Sequence, residues 1–317
     1  MGVPRILSFT SEDISNAAAA IVRGDLVVFP TETVYGLGAN AYSDEAVQKI
    51  FVTKGRPSDN PLIVHVADIE DVDMVVQDIP DYARTLFSLW PGPLTLVLSK
   101  IGRISLIATA GGQTVGVRIP NHDGTRAFLR AAGVPVAAPS ANISTRPSST
   151  MVSHVLSDFV DKPFVYGVFD GGPSEVGIES TVVDCTGGLP VILRPGVITA
   201  EMIEQTCGLT VIFAHTQDDT LRSPGMKYKH YAPDAHISLI EPDALDPQML
   251  GGHTLVYSVV PDDTRPFPVL LLSEQNVYAV FRQADVDNIE HIIILDTPEL
   301  RARTGLYNRI LKAAEGV

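Results

Sequence analysis

The 317-residue chain has a formal net charge of −14 and a hydrophobic fraction of 45%, which is typical of one or two globular domains with packed cores. Its two cysteines, Cys185 and Cys207, exclude a disulfide framework and a four-cysteine zinc site, and its acidic balance argues against a surface that binds nucleic acid. We therefore expect a cytoplasmic protein without a membrane segment, which binds anionic small molecules through a few locally placed cations.

The first two hundred residues alternate short apolar runs with amphipathic segments. An alanine-rich helix at Ile14–Arg23 is followed by the strand Leu26–Phe29 and by a polar, glycine-containing turn at Thr31–Gly38, and Ser43 or Asp44 caps the next helix. The irregular alternation predicts a mixed α/β fold with a twisted, open mixed sheet covered by helices. Further strands are predicted at Leu62–Val66, Leu94–Leu98, Val115–Arg118, Val136–Ala138, Thr181–Asp184 and Val191–Leu193, and helices at Tyr82–Leu89, Gly124–Ala132 and Thr199–Gln205.

After Val211–Phe213 the periodicity ends, and the chain divides into three predicted parts. Residues 10–213 form the first domain, 214–233 a linker, and 234–317 a smaller α/β domain. The linker contains Tyr228, His230 and Tyr231 close together, and such aromatic side chains predict a lid that covers a site rather than a plain spacer. In the small domain we predict strands at Ile237–Ile240, Thr254–Val259, Val269–Leu272 and His291–Leu295 and a last helix at Tyr307–Ala314.

Two cations one residue apart, Lys54 and Arg56, precede the strand Leu62–Val66. Lysine offers a point charge and arginine a bidentate fork, so the pair can clamp neighbouring phosphate oxygens. Pro57 and Pro61 stiffen the backbone beside them. The alternative interpretation is a solvated basic turn, which the K-x-R spacing alone favours.

Polar residues follow other predicted strands. Ser140 and Asn142 come directly after Val136–Ala138, at the strand end where ligands bind in open α/β sheets, although such a pair is also common in turns. Arg118 lies between apolar residues, so it needs an anionic partner, and a ligand or an internal acid serves equally well. Arg194 ends the strand Val191–Leu193. His65 has no histidine or cysteine at metal-ligand spacing, which favours a core histidine, with a polar contact to a ligand as the alternative.

The order of these motifs carries a more specific signal than any one of them. From about Ser11 to Phe213 the chain resembles the YrdC-type domain. Seven runs carry this resemblance: 30–37, 54–62, 90–95, 117–120, 138–142, 179–182 and 193–196. The run 223–233 resembles the linker of the long, two-domain form of the threonylcarbamoyl-AMP synthase family, and residues 305–314 resemble its last helix. No P-loop, dinucleotide-binding or kinase motif is present.

The resemblance implies a function and a set of site residues. Such enzymes condense L-threonine, bicarbonate or CO2, and ATP with Mg2+ into threonylcarbamoyl-AMP and pyrophosphate, and a separate transferase complex uses the product on tRNA. By similarity, the binding site for the nucleotide phosphates and magnesium is formed by Lys54, Arg56, Ser140 and Asn142. Further ATP contacts fall on Asn60, Thr114, Ser148, Arg194 and Tyr231. Threonine contacts fall on Thr33, His65, Arg118, Ala138 and Ser180.

Two other classes of function remain as alternatives. YrdC-like folds can present a concave basic surface to double-stranded RNA, but the charge of −14 argues against that and predicts weak or no direct tRNA binding. A carbamoyltransferase of the hydrogenase-maturation type shares the domain, but it usually carries zinc-finger cysteine pairs and an acylphosphatase unit, and neither is seen here.

Overall fold

The computed structural model describes residues 2–214, 231–247 and 250–314. These residues form fifteen strands and nine α-helices, in a mixed sheet of eleven strands and a separate parallel sheet of four. We call residues 2–214 the large unit, and the described residues from 231 onward the small unit.

The large unit contains the eleven-stranded sheet, in the order β1-β8-β2-β3-β7-β4-β6-β5-β9-β10-β11. Parallel neighbours such as β4 and β6 alternate with antiparallel neighbours such as β5 and β6, which confirms the predicted mixed sheet. The strands are β1 (Arg5–Leu7), β2 (Leu26–Phe29), β3 (Gly36–Asn40), β4 (Ile63–His65), β5 (Leu94–Ser99), β6 (Thr114–Arg118), β7 (Val136–Ala138), β8 (Val165–Phe169), β9 (Thr181–Asp184), β10 (Val191–Arg194) and β11 (Ile212–Phe213).

Helices cover the sheet of the large unit, and local capping chemistry sets their ends. In α2 the Ser43 side chain accepts a hydrogen bond from the Ala46 amide, and the helix ends at Lys54 because Gly55 adopts a φ of 62°. The chain therefore turns sharply between Lys54 and Arg56. The helices are α1 (Ser11–Arg23), α2 (Asp44–Lys54), α3 (Asp81–Thr85), α4 (Asp123–Ala132), α5 (Val152–Asp158) and α6 (Ala200–Cys207).

Strand β3 corrects the turn predicted at Thr31–Gly38. Only residues 31–35 form an irregular loop, whereas Gly36–Asn40 pairs with β2 and β7. A Cβ atom on Gly38 would lie 2.7 Å from both the Phe29 ring and Val136. The glycine here allows close packing inside a sheet, and that use is indistinguishable from a turn glycine in the sequence.

Other elements differ from the prediction in extent. Strands β1 and β8, helix α5 and the helices at Val277–Val286 and Pro298–Ala302 were not predicted, and the helix expected at Tyr82–Leu89 is α3 continued by a 3-10 turn at Leu86–Leu89. The last helix begins three residues before the predicted start. These differences leave the mixed α/β architecture unchanged.

The small unit is a parallel sheet in the order β12-β15-β13-β14 with helices packed on it. Parallel strands need crossover connections, and α7 supplies the crossover between β14 and β15. Its strands are β12 (His236–Ile240), β13 (Thr254–Ser258), β14 (Leu270–Leu271) and β15 (His291–Leu295), and its helices are α7 (Val277–Val286), α8 (Pro298–Ala302) and α9 (Thr304–Ala314).

A shared hydrophobic core joins the two units. Val34 and Ile178 of the large unit are buried in one cluster with Tyr278, Phe281 and Leu306 of the small unit. In the described residues, no helix is both long enough and apolar enough to cross a membrane.

Candidate functional site

A cleft lies against the central strands β3, β7, β4 and β6 of the large sheet. Its walls come from the loop after β2, from these strands, from the end of β10, and from the small unit. The lining residues are Thr31, Thr33, Val34, Tyr35, Gly36, Arg56, Ile63, His65, Arg118, Ala138, Pro139, Ser140, Asn142, Glu179, Ser180, Arg194 and Tyr231.

Arg118, the last residue of β6, is buried in this wall with an internal acid beside it. Its Nη2 lies 2.7 Å from Glu32 Oε2, its Nη1 donates to Thr33 Oγ1 at 2.8 Å, and its Nε donates to the Gly92 carbonyl. The bonds to Thr33 and Gly92 use two of the five guanidinium N–H groups, whereas Nη2, although close to Glu32, forms no hydrogen bond with the described residues. The arginine thus has both an internal ion pair and spare donors for a ligand carboxylate.

His65 lies opposite Arg118 in the register of β4 and β6 and is buried in the same wall. Burial, and then the nearby Arg118 charge, lowers the pKa of His65 to about 3. Its ring packs edge-on against Phe29, and its Nδ1 has no hydrogen-bond partner among the described residues. The ring is neutral near pH 7, and the unsatisfied nitrogen is available to a ligand.

Lys54 and Arg56, at the end of α2, lie in different positions relative to the cleft. Lys54 is buried and is not among the lining residues; its Nζ donates to the carbonyls of Ser140 and Asn142. Burial, and next the neighbouring Arg56, holds the pKa of Lys54 well below its usual value. Lys54 therefore fixes the Ser140–Asn142 turn from behind.

Arg56 lines the cleft directly and is also buried. Its Nη2 makes only long contacts, of 3.5 and 3.4 Å, to the carbonyls of Asn60 and Pro61, and its Nε has no partner in the described part of the chain. Burial lowers the pKa of Arg56 to about 10, so it remains a cation at neutral pH. A buried cation with unsatisfied donors favours an anionic ligand.

The Ser140–Asn142 turn is tied to the rest of the site by backbone and side-chain bonds. Ser140 forms an isolated bridge with Gly36, and the Asn142 amide donates to the carbonyls of Ile143 and Arg146. Lys54 and these bonds hold the turn in a fixed position, and both Ser140 and Asn142 line the cleft.

Glu179 and Ser180 precede β9, and Arg194 ends β10 beside them. Arg194 donates from Nε and Nη2 to the Ser180 carbonyl, and the Ser180 hydroxyl lies 2.8 Å from Thr95 Oγ1. Burial by itself would raise the pKa of Glu179, but Arg309 and Arg194 hold it below its usual value. Glu179 is thus an ionised carboxylate in a wall otherwise dominated by arginine.

Tyr231 is the first described residue of the small unit, and it is buried in the cleft wall. Its backbone has a φ of 72°, which is unusual for a residue other than glycine, and its ring is stacked on Tyr278 with centroids 5.5 Å apart. The rest of the predicted lid, including Tyr228 and His230, lies outside the described residues.

Ten of the fourteen predicted site residues line the cleft: Thr33, Arg56, His65, Arg118, Ala138, Ser140, Asn142, Ser180, Arg194 and Tyr231. Lys54, Asn60, Thr114 and Ser148 do not line it. Thr114 begins the five-residue strand that Arg118 ends, which places it about 13 Å away along the chain. Ser148 donates to Glu179 Oε1 at 2.6 Å, behind the wall.

Several lining residues were not singled out by sequence reasoning. All but Ile63, which directly follows the run 54–62, lie inside the runs that carried the resemblance, so position in those runs was the available signal. They are Thr31, Val34, Tyr35, Gly36, Ile63, Pro139 and Glu179.

The electrostatic character of the cleft is cationic despite the acidic chain. Arg56, Arg118 and Arg194 line it, against the single carboxylate of Glu179. In the described ranges no group of three or more histidine, cysteine, aspartate or glutamate side chains is placed to hold a metal ion. The arrangement is suited to bind a carboxylate and phosphates.

Comparison with protein families finds two matches that together span most of the chain. A family described as "Telomere recombination" matches residues 19–196, and one described as "Threonylcarbamoyl-AMP synthase, C-terminal domain" matches residues 198–315.

Individual proteins with established descriptions are also similar. Threonylcarbamoyl-AMP synthase of Bacillus subtilis is 39% identical over 98% of this chain and 95% of its own. The synthase of Pyrococcus abyssi is 47% identical over 71% of this chain and 67% of its own. The crystal structure of P. abyssi Sua5 complexed with L-threonine superposes with a TM-score of 0.86, at 36% identity, over 98% of this chain and 97% of that one.

Proposed function

Because the chain belongs to the threonylcarbamoyl-AMP synthase family, we propose that it condenses L-threonine, bicarbonate or CO2, and ATP into threonylcarbamoyl-AMP and pyrophosphate. One observation carries this proposal: three buried arginines converge on a single cleft, in a protein whose overall charge is −14. The reaction needs cationic groups for a carboxylate and a triphosphate, and these arginines provide them. In class the enzyme is a nucleotidyltransferase.

Threonine binds at the Arg118 end of the cleft in this proposal. The N–H groups of Arg118 that Thr33 and Gly92 do not use pair with the amino-acid carboxylate as a bidentate contact. Neutral His65, Thr33, Ala138 and Ser180 surround the rest of the ligand. The relative from P. abyssi, 36% identical to this chain, is described as complexed with L-threonine, which supports threonine as a ligand.

ATP binds toward Arg56, Arg194 and Tyr231. The unsatisfied Nε of Arg56 and the hydroxyl of Ser140 face the phosphates, and Tyr231 offers an aromatic face at the side of the small unit. Lys54 acts through the turn that it holds. Asn60, Thr114 and Ser148, which the resemblance also implies as ATP contacts, do not line the cleft, so their proposed roles are indirect.

Mg2+ fits this cleft only as an ion that arrives with ATP. Glu179, the one carboxylate in the wall, already accepts bonds on both oxygens, whereas Ser140 and Asn142 supply neutral oxygen atoms beside the proposed phosphates. Magnesium is commonly held by substrate phosphates plus one or two protein oxygens. When bound, it neutralises part of the triphosphate charge.

The protein's part in the chemistry is to position reactants and stabilise charge. The threonine amine adds to CO2, with loss of a proton, to give a carbamate. A carbamate oxygen then attacks the α-phosphorus of ATP, the bond to the bridging oxygen breaks, and pyrophosphate leaves. Arg56 and Arg194 stabilise the negative charge that gathers on the phosphates, and no covalent nucleophile of the chain takes part.

Other features of the biology follow as part of the same proposal. The protein is cytoplasmic, divides into domains at 10–213 and 234–317, and passes its unstable product to a separate threonylcarbamoyl transferase complex. It has weak or no direct affinity for tRNA, since its net charge is strongly negative.

The decisive test is pyrophosphate release that depends on all three substrates, with the adenylate identified by mass. Omission of threonine or bicarbonate should abolish release. Release from ATP alone, or binding of double-stranded RNA with a steep salt dependence, would contradict the proposal and favour another function.

A further inference from the structure

Glu179 in the wall of the cleft is held mainly by the small unit. Tyr278 of α7 donates to Glu179 Oε2 at 2.8 Å, and Arg309 of α9 donates to the same oxygen at 2.6 Å. Arg309 Nη2 also donates to the Glu179 main-chain carbonyl. These partners lie 99 and 130 residues further along the chain.

Arg309 reaches a second cleft-lining segment as well. Its Nη1 donates to the Pro195 carbonyl at 3.0 Å, directly beside Arg194. One guanidinium therefore fixes the residues next to Ser180 and next to Arg194, both of which line the cleft. Arg309 itself is completely buried and does not line the cleft.

The same two residues provide the surface on which Tyr231 rests. The Tyr231 ring is stacked on Tyr278, and the Arg309 guanidinium lies 5.6 Å from the centre of that ring. Tyr231 is held there with the unusual φ of 72°. Side chains of the small unit thus contact three parts of the cleft wall.

A buried ion pair by itself is weak evidence of a role, because such pairs often contribute little net stability. Here, however, Arg309 and Tyr278 bind a cleft-lining residue, which contact between the two units alone does not require. Arg282 of α7 already joins the units, through Asp158 and the Pro147 carbonyl, and none of its hydrogen bonds with the described residues reaches Glu179 or Tyr231. Arg309 and Tyr278 instead satisfy the atoms of a residue that faces the ligand.

We propose that Arg309 and Tyr278 are positioning residues of the active site, through which the small unit sets the geometry of Glu179, Ser180, Arg194 and Tyr231. This inference rests on the proposed synthase activity. The small unit is then a working part of the site, and the enzyme reaches its full rate only while α7 and α9 are docked.

The test compares Arg309→Met, Arg309→Lys and Tyr278→Phe with the control Arg301→Met. Arg301 lies in α8 of the same unit, is partly exposed and pairs with Asp296 and Glu241. We expect Arg309→Met to lower kcat/KM about 100-fold, because a displacement of about 1 Å at a reacting centre has that effect. Arg309→Lys, which keeps the charge but loses the fork, should recover part of this, and Tyr278→Phe should lose about tenfold.

The variant Arg282→Met separates positioning from docking. It weakens the contact between the units without touching Glu179, so it should lower the unfolding temperature more than it lowers kcat/KM. Equal loss of kcat/KM in Arg282→Met and Tyr278→Phe would overturn the proposal, as would wild-type kinetics in Tyr278→Phe. If Arg309→Met does not fold, Arg309→Lys and Tyr278→Phe still test the positioning role.

Amide hydrogen exchange provides a readout that needs no turnover. Exchange of the peptide spanning residues 177–184 should be faster in Tyr278→Phe and Arg309→Lys and unchanged in Arg301→Met. A wild-type protein that makes no threonylcarbamoyl-AMP would refute the proposed function, whereas unchanged exchange in both variants would refute the positioning role.

Discussion

At the scale of single residues, the site is built from charges that are buried before any ligand arrives. Arg118, Arg56 and Lys54 are each less than 10% exposed, and each is partnered differently. Arg118 is paired with the Glu32 carboxylate, Arg56 makes long contacts with main-chain carbonyls, and Lys54 donates to the carbonyls of the Ser140–Asn142 turn. The residue with the least satisfied donors, Arg56, is the one we assign to the most highly charged substrate.

The first prediction separates the two roles of Arg118. Arg118→Ala should weaken threonine binding by about 2–4 kcal/mol, since a charged hydrogen bond is lost, while ATP affinity changes little. It should also lower the free energy of unfolding by about 3–5 kcal/mol, because Glu32 is left buried without its partner. Calorimetry and thermal unfolding measure the two effects.

The double variant Glu32→Gln with Arg118→Gln is the matched control. It removes both charges, so part of the lost stability should return while threonine binding remains weak. Recovery of threonine affinity in the double variant would show that Arg118 serves only the internal ion pair.

The second prediction concerns Lys54, whose ammonium bonds the Ser140 and Asn142 carbonyls. Lys54→Met keeps the length of the side chain but frees the turn, so kcat should fall at least about tenfold while threonine affinity changes little. Lys49→Met is the control, since Lys49 lies in the same helix and donates to the Gly24 carbonyl, away from the lining residues. Equal turnover in wild type and Lys54→Met would return this lysine to a structural role.

The third prediction is a pH dependence that arises from His65. Its folded pKa of about 3 lies below the usual value near 6.5, so the unfolded chain takes up the proton first as pH falls. The stabilising contribution is complete above about pH 6.5 and is lost progressively toward pH 3; at pH 5 the loss is about 2 kcal/mol. His122 and His154, whose pKa values are also lowered, add in the same direction.

Ligand-free unfolding at several pH values, in wild type and in His65→Leu, isolates this contribution. The free energy of unfolding of His65→Leu should fall less steeply between pH 6.5 and 5. Parallel curves for the two proteins would mean that the ring is protonated in the folded state.

At the scale of elements, the sequence predicted what local chemistry determines. The start of α2 was visible because Ser43 or Asp44 could cap it, and β4, β6 and β7 were visible as apolar runs. Strand β3 was hidden, since Gly36 and Gly38 resemble turn residues until Phe29 is seen to pack against them. Strand β1, only three residues long, was hidden too, because its partner β8 lies about 160 positions away.

The same reasoning explains which site residues could be predicted. The fourteen predicted site residues were found by resemblance, and ten of them line the cleft. The contacts of Glu179 with Tyr278 and Arg309 could not be found, because no local pattern connects residues 99 and 130 positions apart. Long-range pairing is a property of the folded chain alone.

The fourth prediction concerns the contact between α9 and the end of β10. Gly305 lies so close to Gly196 that a Cβ on Gly305 would be 2.8 Å from the Gly196 backbone. Gly305→Ala should force α9 away, lower the free energy of unfolding by about 1–3 kcal/mol and reduce turnover, since Arg309 moves with the helix. Gly188→Ala, in open space between β9 and β10, should do neither. Unchanged stability and turnover in Gly305→Ala would show that the two backbones can separate at no cost.

At the scale of the whole molecule, the two units share one core and one cleft. The core cluster that contains Tyr278 and Phe281 also contains Val34 and Ile178, which flank cleft-lining residues of the large unit. Among the described residues that line the cleft, Glu179 alone carries a negative charge, and that carboxylate is neutralised by Arg309 from the other unit. The electrostatic potential in the cleft therefore depends on charged residues of both units.

The last prediction is made at this scale and concerns two fragments. Residues 1–214 contain the complete eleven-stranded sheet, so this fragment should fold, although Val34 and Ile178 become exposed. It should lose at least about 100-fold in kcat/KM, because Glu179 loses both donors from the small unit and Tyr231 is absent. Residues 1–235 restore the linker and Tyr231 but not Tyr278 or Arg309, so this longer fragment should stay equally inactive. Circular dichroism establishes folding, and pyrophosphate release measures activity.

If the longer fragment recovers activity and the shorter one does not, the linker alone completes the site, and the small unit would then matter only for docking. Full activity in the shorter fragment would make both dispensable, and the cleft would have to function with Glu179 held by Ser148 alone.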